Sequence, residues 1–187
     1  MPTQGRASIS RALKSIEENW RPGDESIVVA DTHGSLLDEH LRHWVEMRGH
    51  TYLEHDAGHH CWGHCQLNHG MKHATGDYLV YMDDDDVFAH GAWNAIRETI
   101  AQRTVVGPIL FQFKTSTGGI LWQIPGSDLA HGRIGGHCLV QPNDPERMGF
   151  FSCEYAGDLT AIQDACQNWG HDKVLWMPHV ISIARPR

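Results

Sequence analysis

The stretch "HHCWGHCQLNHGMKHATGDYLVYMDDDD", residues 59–86, decides the fold and holds much of the reactive chemistry of the chain. It contains five histidines, two cysteines and four consecutive aspartates. Residues 62–74 carry apolar side chains at helical spacing, and residues 77–82 form a short apolar run typical of a strand. The stretch therefore predicts a helix, a turn and a strand that ends in the acidic run 83–86.

The same alternation of helix and strand continues on both sides of this stretch. Upstream and just downstream, the patterns predict helices over 8–20 and 92–102 and strands over 26–30 and 51–54. They also predict a helix through Leu37, Leu41, Trp44 and Val45, which begins at a capping box formed by Ser35 and Asp38. The second half predicts two strands around a Gly-Gly turn in "VVGPILFQFKTSTGGILWQIPG", a strand in "HCLVQP", a helix over 157–169 and two short strands in "VLWMP" and "VISIA". This order predicts an α/β fold with a mainly parallel sheet flanked by helices and a small mixed-strand second half. We expect one domain over 1–187, with a first half over 1–103 and a second half over 104–187.

Composition limits the class of protein. The 187 residues are 41% hydrophobic, which suits one domain with a core. No run of 18 apolar residues exists and the first residues lack the apolar segment of a secretory signal, so we expect no membrane span and a cytoplasmic location. Five cysteines, an odd count, favour reduced thiols. The net charge of −8 argues against a broad basic surface for nucleic acid.

The histidines and cysteines raise the possibility of a zinc site. Cys61, Cys65, His69 and His73 are spaced four residues apart, which makes one stripe on a helix. The helical rise puts Cys61 and His73 roughly 18 Å apart, so the four side chains do not share one ion on an intact helix. An adjacent pair could bind zinc with ligands from elsewhere in the chain. We favour polar histidines on the solvent face and cysteines as small core residues.

The acidic run is open to two interpretations. Four adjacent carboxylates repel one another unless a cation or a basic partner is present, and a solvated turn is the simpler interpretation. Ligands bind at the carboxyl ends of strands in open parallel sheets, however, and this run follows a strand directly. Carboxylates there suit Mg²⁺ or Mn²⁺, which take oxygen ligands and hold phosphates.

The ordered set of motifs resembles glycosyltransferase family 2, whose members have the GT-A (Rossmann-like) fold. The resemblance rests on "MPTQGRASISRALKSI", "IVVADTHGS" and "CQLNHGMKHATGDYLVYMDDDDVFAHGAW", which match its P-T-x-x-R turn, Asp-ended strand, A-x-N-x-G-type helix and D-x-D-D strand. It covers residues 1–100, and the tail is similar in a looser way. It implies a nucleotide-diphosphate sugar donor such as a UDP-sugar, a divalent metal and a hydroxyl-bearing acceptor.

Carried onto this sequence, the resemblance assigns roles to individual residues. It puts the nucleotide sugar beside Pro2, Thr3, Arg6, Asp31, Asn68, Asp83 and Asp84. Asp83 would face the ribose and the metal waters, and Asp85 would ligate the metal that bridges the phosphates. His179 is a candidate for the extra histidine ligand of the metal. His137 is a second candidate for that ligand, and we favour it at the acceptor pocket.

The chemistry needs a base for the acceptor hydroxyl and a cation for the departing diphosphate. The family's base is a carboxylate before a helix of the acceptor half, and "SCEYAGDL" offers Glu154 and Asp158. We favour Asp158, at the predicted helix start; the alternative is an acid that only stabilises the helix through its dipole. A single base opposite the leaving group implies inversion at the sugar carbon.

One departure from the family pattern concerns the first strand. Several apolar residues normally precede the P-T turn, whereas only Met1 precedes Pro2. A strand in mid-sheet that lacks these residues would leave backbone groups unpaired. We expect either an earlier start or another element in its place.

Two rival functions remain open at this point. A nucleotidyltransferase would use a similar layout but attack a phosphate, and a catalytically silent module would bind a sugar nucleotide or zinc without turnover. The donor sugar, the acceptor (a glycan, a small molecule or a modified nucleobase) and the oligomeric state are not fixed by the sequence.

Overall fold

The computed structural model describes residues 1–33, 38–56, 61–102 and 107–186. Its helices are α1 Ile9–Glu17, α2 Glu39–Met47, α3 His64–Met71, α4 Ala92–Ala101 and α5 Gly157–Trp169. Its strands are β1 Pro2–Thr3, β2 Ile27–Asp31, β3 Thr51–His55, β4 Tyr78–Val80, β5 Val87–Phe88, β6 Ile109–Lys114, β7 Ile120–Leu121, β8 Leu139–Pro142 and β9 Leu175–Ile183. Single 3₁₀ turns cover Gly136–Cys138 and His171–Lys173. Within these ranges, no helix is long and apolar enough to cross a membrane.

The strands form two sheets. The first is parallel, in the order β1-β2-β3, and Thr3 pairs with Ala30 of β2. The second is mixed, in the order β4-β8-β6-β9-β5, with β7 added to β6. Within it only β6 and β9 run parallel, and the other pairings are antiparallel. The predicted α/β architecture with a mixed second half is confirmed.

Local sequence explains most element boundaries. Helix α3 begins at His64, two residues later than predicted, because Trp62 and Gly63 have positive φ angles of 46° and 83°. The predicted strands "VLWMP" and "VISIA" form one strand, β9, whose register against β6 shifts on either side of Gln112. Ser35, Leu37 and the predicted 103/104 boundary lie outside the described residues.

The chain before β2 is held by backbone pairing. Met1 donates a 2.8 Å hydrogen bond to the Ile27 carbonyl, and Val29 donates one of 2.9 Å to the Met1 carbonyl. Strand β1 thus pairs with β2 along one side. The carboxyl end of β1 therefore lies at the same edge as the carboxyl end of β2, where parallel sheets place their ligands.

Apolar packing joins the layers. Buried side chains of α1 and α2 pack on β2, those of α3 and α5 pack on one face of the mixed sheet, and those of α4 pack on the other face. Gly149 lies against α5 so closely that a Cβ there would be 1.8 Å from the Ala161 carbonyl oxygen. The loop that follows β8 is therefore fixed on α5, whose first turn carries Asp158.

Candidate active site

The four aspartates after β4 form a tight turn, and their carboxylates have different surroundings. The Asp86 amide donates a 3.3 Å hydrogen bond to the Asp83 carbonyl, which closes the turn. The backbone reverses within the run, so neighbouring side chains diverge. The turn thereby presents four carboxylates to three different sets of partners.

Asp84 anchors the turn to the segment after β1. Its buried carboxylate accepts hydrogen bonds from Thr3 Oγ1 at 2.7 Å, from the Gln4 amide at 3.4 Å and from Arg6 Nη1 at 3.1 Å. The resemblance placed Asp84 and Thr3 beside the nucleotide. In the structure their side chains bond to each other, so their first role is to set the shape of the turn.

Asp85 faces two arginines. Arg6 Nη1 lies 3.4 Å and Arg185 Nε 3.1 Å from its Oδ2. Partial burial and repulsion from Asp86 and Asp83 raise the pKa of Asp85, against the opposing charges of the two arginines. Sequence reasoning missed Arg185, which lies two residues past β9 and whose approach to Asp85 depends on a pairing between distant strands.

Asp83, Asp86 and His137 form the group best suited to a divalent cation. One ligand atom of each lies within 4.8 Å of the others. His137 comes from the 3₁₀ turn before β8; its Nε2 lies 3.3 Å from an Asp83 oxygen and in closer contact with Asp86. Despite this proximity, Nε2 lacks a partner with hydrogen-bond geometry among the described residues. Two carboxylates and one imidazole nitrogen that converge in this way fit a divalent metal ion.

The electrostatics of this group are strongly coupled. Burial alone would lower the pKa of His137, but the close contact of its ring with the Asp83 and Asp86 carboxylates and their charges raise it well above its usual value. Burial alone would raise the pKa of Asp83, and contact with His137 lowers it instead. In the absence of a cation, a protonated His137 thus offsets the negative charge of the turn.

This ligand group differs from the set that the resemblance implied. His137, which we expected at the acceptor pocket, lies against the carboxylates. His179, expected as a metal ligand, is exposed within β9 and is absent from the cleft wall that the described residues form. Asp85 is engaged by arginines, whereas Asp86, which had no assigned role, joins the group.

A cleft of about 800 Å³ opens beside the acidic turn. Ligand pockets commonly measure about 300–1,000 Å³, so the cleft has room for a ligand of nucleotide size. Its wall includes nine residues that the sequence predicted for the site, namely Pro2, Thr3, Arg6, Asp31, Asp83, Asp84, Asp85, His137 and Asp158. Residues from both halves of the chain thus meet at one cavity.

Asp158 stands on the same wall as His137. It lies in the first turn of α5, and its Oδ2 accepts a 3.2 Å hydrogen bond from the Gly136 amide. A Cβ on Gly135 would lie 3.2 Å from the same oxygen, so a glycine there lets the carboxylate approach closely. Glu154, the other candidate base, is exposed on the preceding loop and is not part of the described cleft wall.

Asn68 has a structural task away from the cleft. Its side-chain amide donates a 2.7 Å hydrogen bond to the Phe151 carbonyl and accepts one of 2.9 Å from the Phe151 amide. Both ends of the amide are therefore committed to the loop before α5. The resemblance placed Asn68 with the nucleotide sugar, but the structure uses it to position the second half against α3.

Two buried polar residues of α3 also line the cleft and were missed. His64 and Gln66 are 7% and 2% exposed, yet His64 Nδ1 and Gln66 Oε1 have no hydrogen-bond partner among the residues described. Buried polar atoms without partners are costly, and at a cleft wall they indicate contacts to a ligand. Their helical spacing gave no signal, because His64 had appeared to belong to the solvent face.

Known structures share this fold at low sequence identity. S. aureus TarS 1-349 in complex with UDP-GlcNAc superposes with a TM-score of 0.74 at 18% identity, over 100% of this chain and 57% of that one. The mannosyltransferase PcManGT from Pyrobaculum calidifontis, in complex with GDP-Man and Mn²⁺, superposes with a TM-score of 0.66 at 22% identity. The match covers 98% of this chain and 55% of that one. Glucosyl-3-phosphoglycerate synthase from Mycobacterium tuberculosis, in complex with Mn²⁺, UDP and glucosyl-3-phosphoglycerate, superposes with a TM-score of 0.67 at 14% identity. The match covers 100% of this chain and 70% of that one.

The chain spans 35–58% of the length of the TarS chains that it matches. No curated protein sequence matches it significantly. The family model described as "Glycosyl transferase family 2" matches residues 1–153, which include the acidic turn, the candidate ligand His137 and most of the cleft wall. This match covers well over half of the 187 residues, and the chain therefore belongs to glycosyltransferase family 2.

Proposed function

We propose that this chain transfers a sugar from a nucleotide-diphosphate sugar to an acceptor hydroxyl. The observation that carries the proposal is that Asp83, His137 and Asp158 line one cleft of about 800 Å³, with Asp86 grouped with the first two behind its wall. Family membership and the nucleotide sugars in the complexes of similar structures support the same reaction class. Two of the three complexes described above contain UDP or a UDP-sugar, so we favour a UDP-sugar as the donor.

A divalent ion would be held by Asp83, Asp86 and His137, and its charge would offset that of the diphosphate. Carboxylates suit both Mg²⁺ and Mn²⁺, whereas an imidazole ligand is more typical of transition metals. We therefore favour Mn²⁺ over Mg²⁺. Arg6 and Arg185, which flank Asp85, both line the cleft and would lie beside the phosphates.

The nucleoside would occupy the edge formed by β1 and β2. Asp31, at the end of β2, lines the cleft, and its Oδ1 accepts a 3.0 Å hydrogen bond from the His33 amide. One carboxylate oxygen, Oδ2, then faces a ribose hydroxyl or base. Pro2 contributes an apolar surface to the same wall.

Asp158 would accept the proton of the acceptor hydroxyl. Its carboxylate is held by the Gly136 amide next to His137, which places base and metal ligands on adjoining parts of the wall. A carboxylate suffices as the base when the proton leaves late, after the attacking oxygen has become acidic. A base on the side opposite the diphosphate predicts inversion of the sugar carbon.

The test is a product assay with the full chain, Mn²⁺ and a panel of UDP- and GDP-sugars. A thermal-shift screen first ranks the donors, because a ligand at 100 times its Kd stabilises a protein by about 2.7 kcal/mol. The proposal expects release of a nucleoside diphosphate and transfer of the labelled sugar to water or to an added acceptor. Release of a sugar 1-phosphate would instead identify nucleotidyl transfer, because attack on the nucleotide phosphorus breaks the bond between the two phosphates, and binding without any turnover would identify a silent module.

A further inference from the structure

Three cysteine thiols meet beside the cleft, and one of them, Cys61, lines its wall. The sulfur atoms of Cys61, Cys65 and Cys153 all lie within 4.8 Å of one another. Cys61 and Cys65 flank the start of α3, and Cys153 comes from the loop before α5. We propose that these three thiols bind one zinc ion, at a site separate from the one formed by Asp83, Asp86 and His137.

The turn before α3 brings the first two sulfurs together. The His64 amide donates a 2.7 Å hydrogen bond to the Cys61 carbonyl, and Trp62 and Gly63 both adopt left-handed φ angles. A left-handed backbone is uncommon for a bulky residue such as tryptophan and requires support from its surroundings. Cys61 therefore lies before helix α3 and is not part of its stripe of side chains. Its distance from the other possible ligands is not set by the helical rise.

Contacts that do not involve sulfur hold the third cysteine in place. Asn68 binds both the amide and the carbonyl of Phe151, two residues before Cys153. On the other side, a Cβ on Gly157 would lie 2.0 Å from the Ser152 carbonyl oxygen and 2.4 Å from His64 Nδ1. The loop between these anchors is thus seated on α3 by polar contacts and by close packing. The Cys153 thiol therefore lies near Cys61 and Cys65 without the help of a bound ion.

The separation of the sulfurs matches the bond lengths of zinc. Zn–S bonds of about 2.3 Å in a tetrahedron put the sulfurs roughly 3.8 Å apart, which small side-chain movements reach from the observed cluster. Thiolates favour zinc over Mg²⁺ and Mn²⁺, which prefer oxygen ligands, so the two sites would select different ions. Binding converts three thiols to thiolates and releases their protons to solvent. Among the described ranges the cluster supplies three donors, and a tetrahedral zinc ion would take one further ligand.

An ion at this position would fix an aromatic pair at the mouth of the cleft. Trp62 and Tyr155, next to Cys61 and near Cys153, pack edge to face with centroids 5.9 Å apart. Both line the cleft, and they are 55% and 68% exposed. The zinc site would therefore join the two halves of the chain and position this pair.

The test is a cobalt titration of the full chain, reduced and stripped of metal with a chelator. Co²⁺ in a thiolate site gives an intense sulfur-to-metal absorption that oxygen ligands do not give. We expect one such ion per chain, displaced by Zn²⁺. Cys153→Ser, at an exposed position, should weaken binding by at least about 10–100-fold, the range seen for losing even an outer-shell partner.

Two control variants make the result specific. Cys166→Ala, a buried cysteine of α5, should retain the absorption, and His137→Gln should retain it while removing a ligand of the other site. Circular dichroism checks that each variant is folded. Absence of the absorption in the reduced protein, or full affinity in folded Cys153→Ser, would overturn the proposal.

Discussion

Thr3 Oγ1 donates a 2.7 Å hydrogen bond to Asp84 Oδ2 and so joins β1 to the acidic turn across 81 positions of sequence. Arg6 adds an ion pair at 3.1 Å from its own half-exposed guanidinium. The Asp84 carboxylate therefore holds the acidic turn against the segment that follows β1. Asp83 and the Asp86 Oδ2 atom face His137, whereas Asp86 Oδ1 accepts a 2.7 Å hydrogen bond from the Arg185 amide.

We predict that Asp84→Asn lowers the free energy of unfolding by about 1–3 kcal/mol, the range for hydrogen bonds to a charged group. The reason is that the buried carboxylate accepts three hydrogen bonds and the amide replaces one acceptor by a donor. Urea denaturation measures the change. Asp164→Asn, at an exposed position of α5, is the control and should leave stability within about 0.5 kcal/mol. Equal stability of Asp84→Asn and wild type would show that the anchor contributes nothing.

We predict that Asp158→Asn leaves donor binding intact and lowers the transfer rate by about 10²–10⁴, as expected for the loss of a general base. The substitution keeps the shape of the side chain. Calorimetry with the donor and steady-state rates separate the two effects, and Asp164→Asn on the same helix is again the control. Glu154→Gln should have a smaller effect, because Glu154 is exposed on the loop. A normal rate in Asp158→Asn together with a low rate in Glu154→Gln would exchange the two roles.

We predict that Glu17→Gln destabilises the protein at neutral pH but not in acid. Burial would raise the pKa of Glu17, but hydrogen bonds from His50 and Arg48 lower it. A depressed carboxyl pKa stabilises the folded state above the ordinary glutamate pKa of about 4.3, and this contribution disappears as pH falls through the folded value. Denaturation of both proteins at several pH values should show that the free energy of unfolding of Glu17→Gln is about 1 kcal/mol lower than that of wild type at pH 7. This difference should disappear below about pH 4. Glu146→Gln, on the surface, should show no such trend, and a gap that widens in acid would refute the assignment.

We predict that Gly149→Ala destabilises the fold by at least about 1–3 kcal/mol, the usual cost of overpacking. The new methyl group would meet the Ala161 carbonyl oxygen at 1.8 Å and force the loop away from α5. Gly76→Ala is the matched control, because its Cβ would meet its nearest neighbour at 3.6 Å. Thermal melting of the two variants compares them directly. A melting temperature for Gly149→Ala equal to that of Gly76→Ala would show that the loop is free to shift.

The sequence was most informative where a single segment carries its own signal. Helix α5 runs over Gly157–Trp169 as its apolar spacing predicts, and β2 and β3 lie within one residue of the predicted strands. The antiparallel pairing of β4 with β8 was not predicted, because no local pattern encodes which distant strands pair. The α/β architecture thus follows from periodicity, whereas the composition of each sheet does not.

The same distinction applies to the site. The acidic turn and Asp158 were identifiable from motifs, but the direction of each aspartate within a tight turn was not. Tertiary packing brings Arg185 to Asp85 and Cys153 to Cys61 and Cys65, so neither had a local signal. Asn68 shows the converse, since a residue named by a motif contacts the backbone of Phe151 rather than the cleft.

The central claim is that Asp83, Asp86 and His137 hold the ion that binds the diphosphate of the donor. The most direct measurement is the Kd for UDP with and without Mn²⁺, by calorimetry, in wild type and in His137→Gln. We predict that Mn²⁺ tightens UDP binding in wild type and that His137→Gln loses at least about tenfold of this gain, or 1.4 kcal/mol, when each protein's Kd with Mn²⁺ is compared with its own Kd without metal. Asp85→Asn serves as the comparison, because Asp85 faces Arg6 and Arg185 rather than His137. If folded His137→Gln retains the full Mn²⁺ effect while Asp85→Asn loses it, the metal is held by Asp85 and the claim is contradicted.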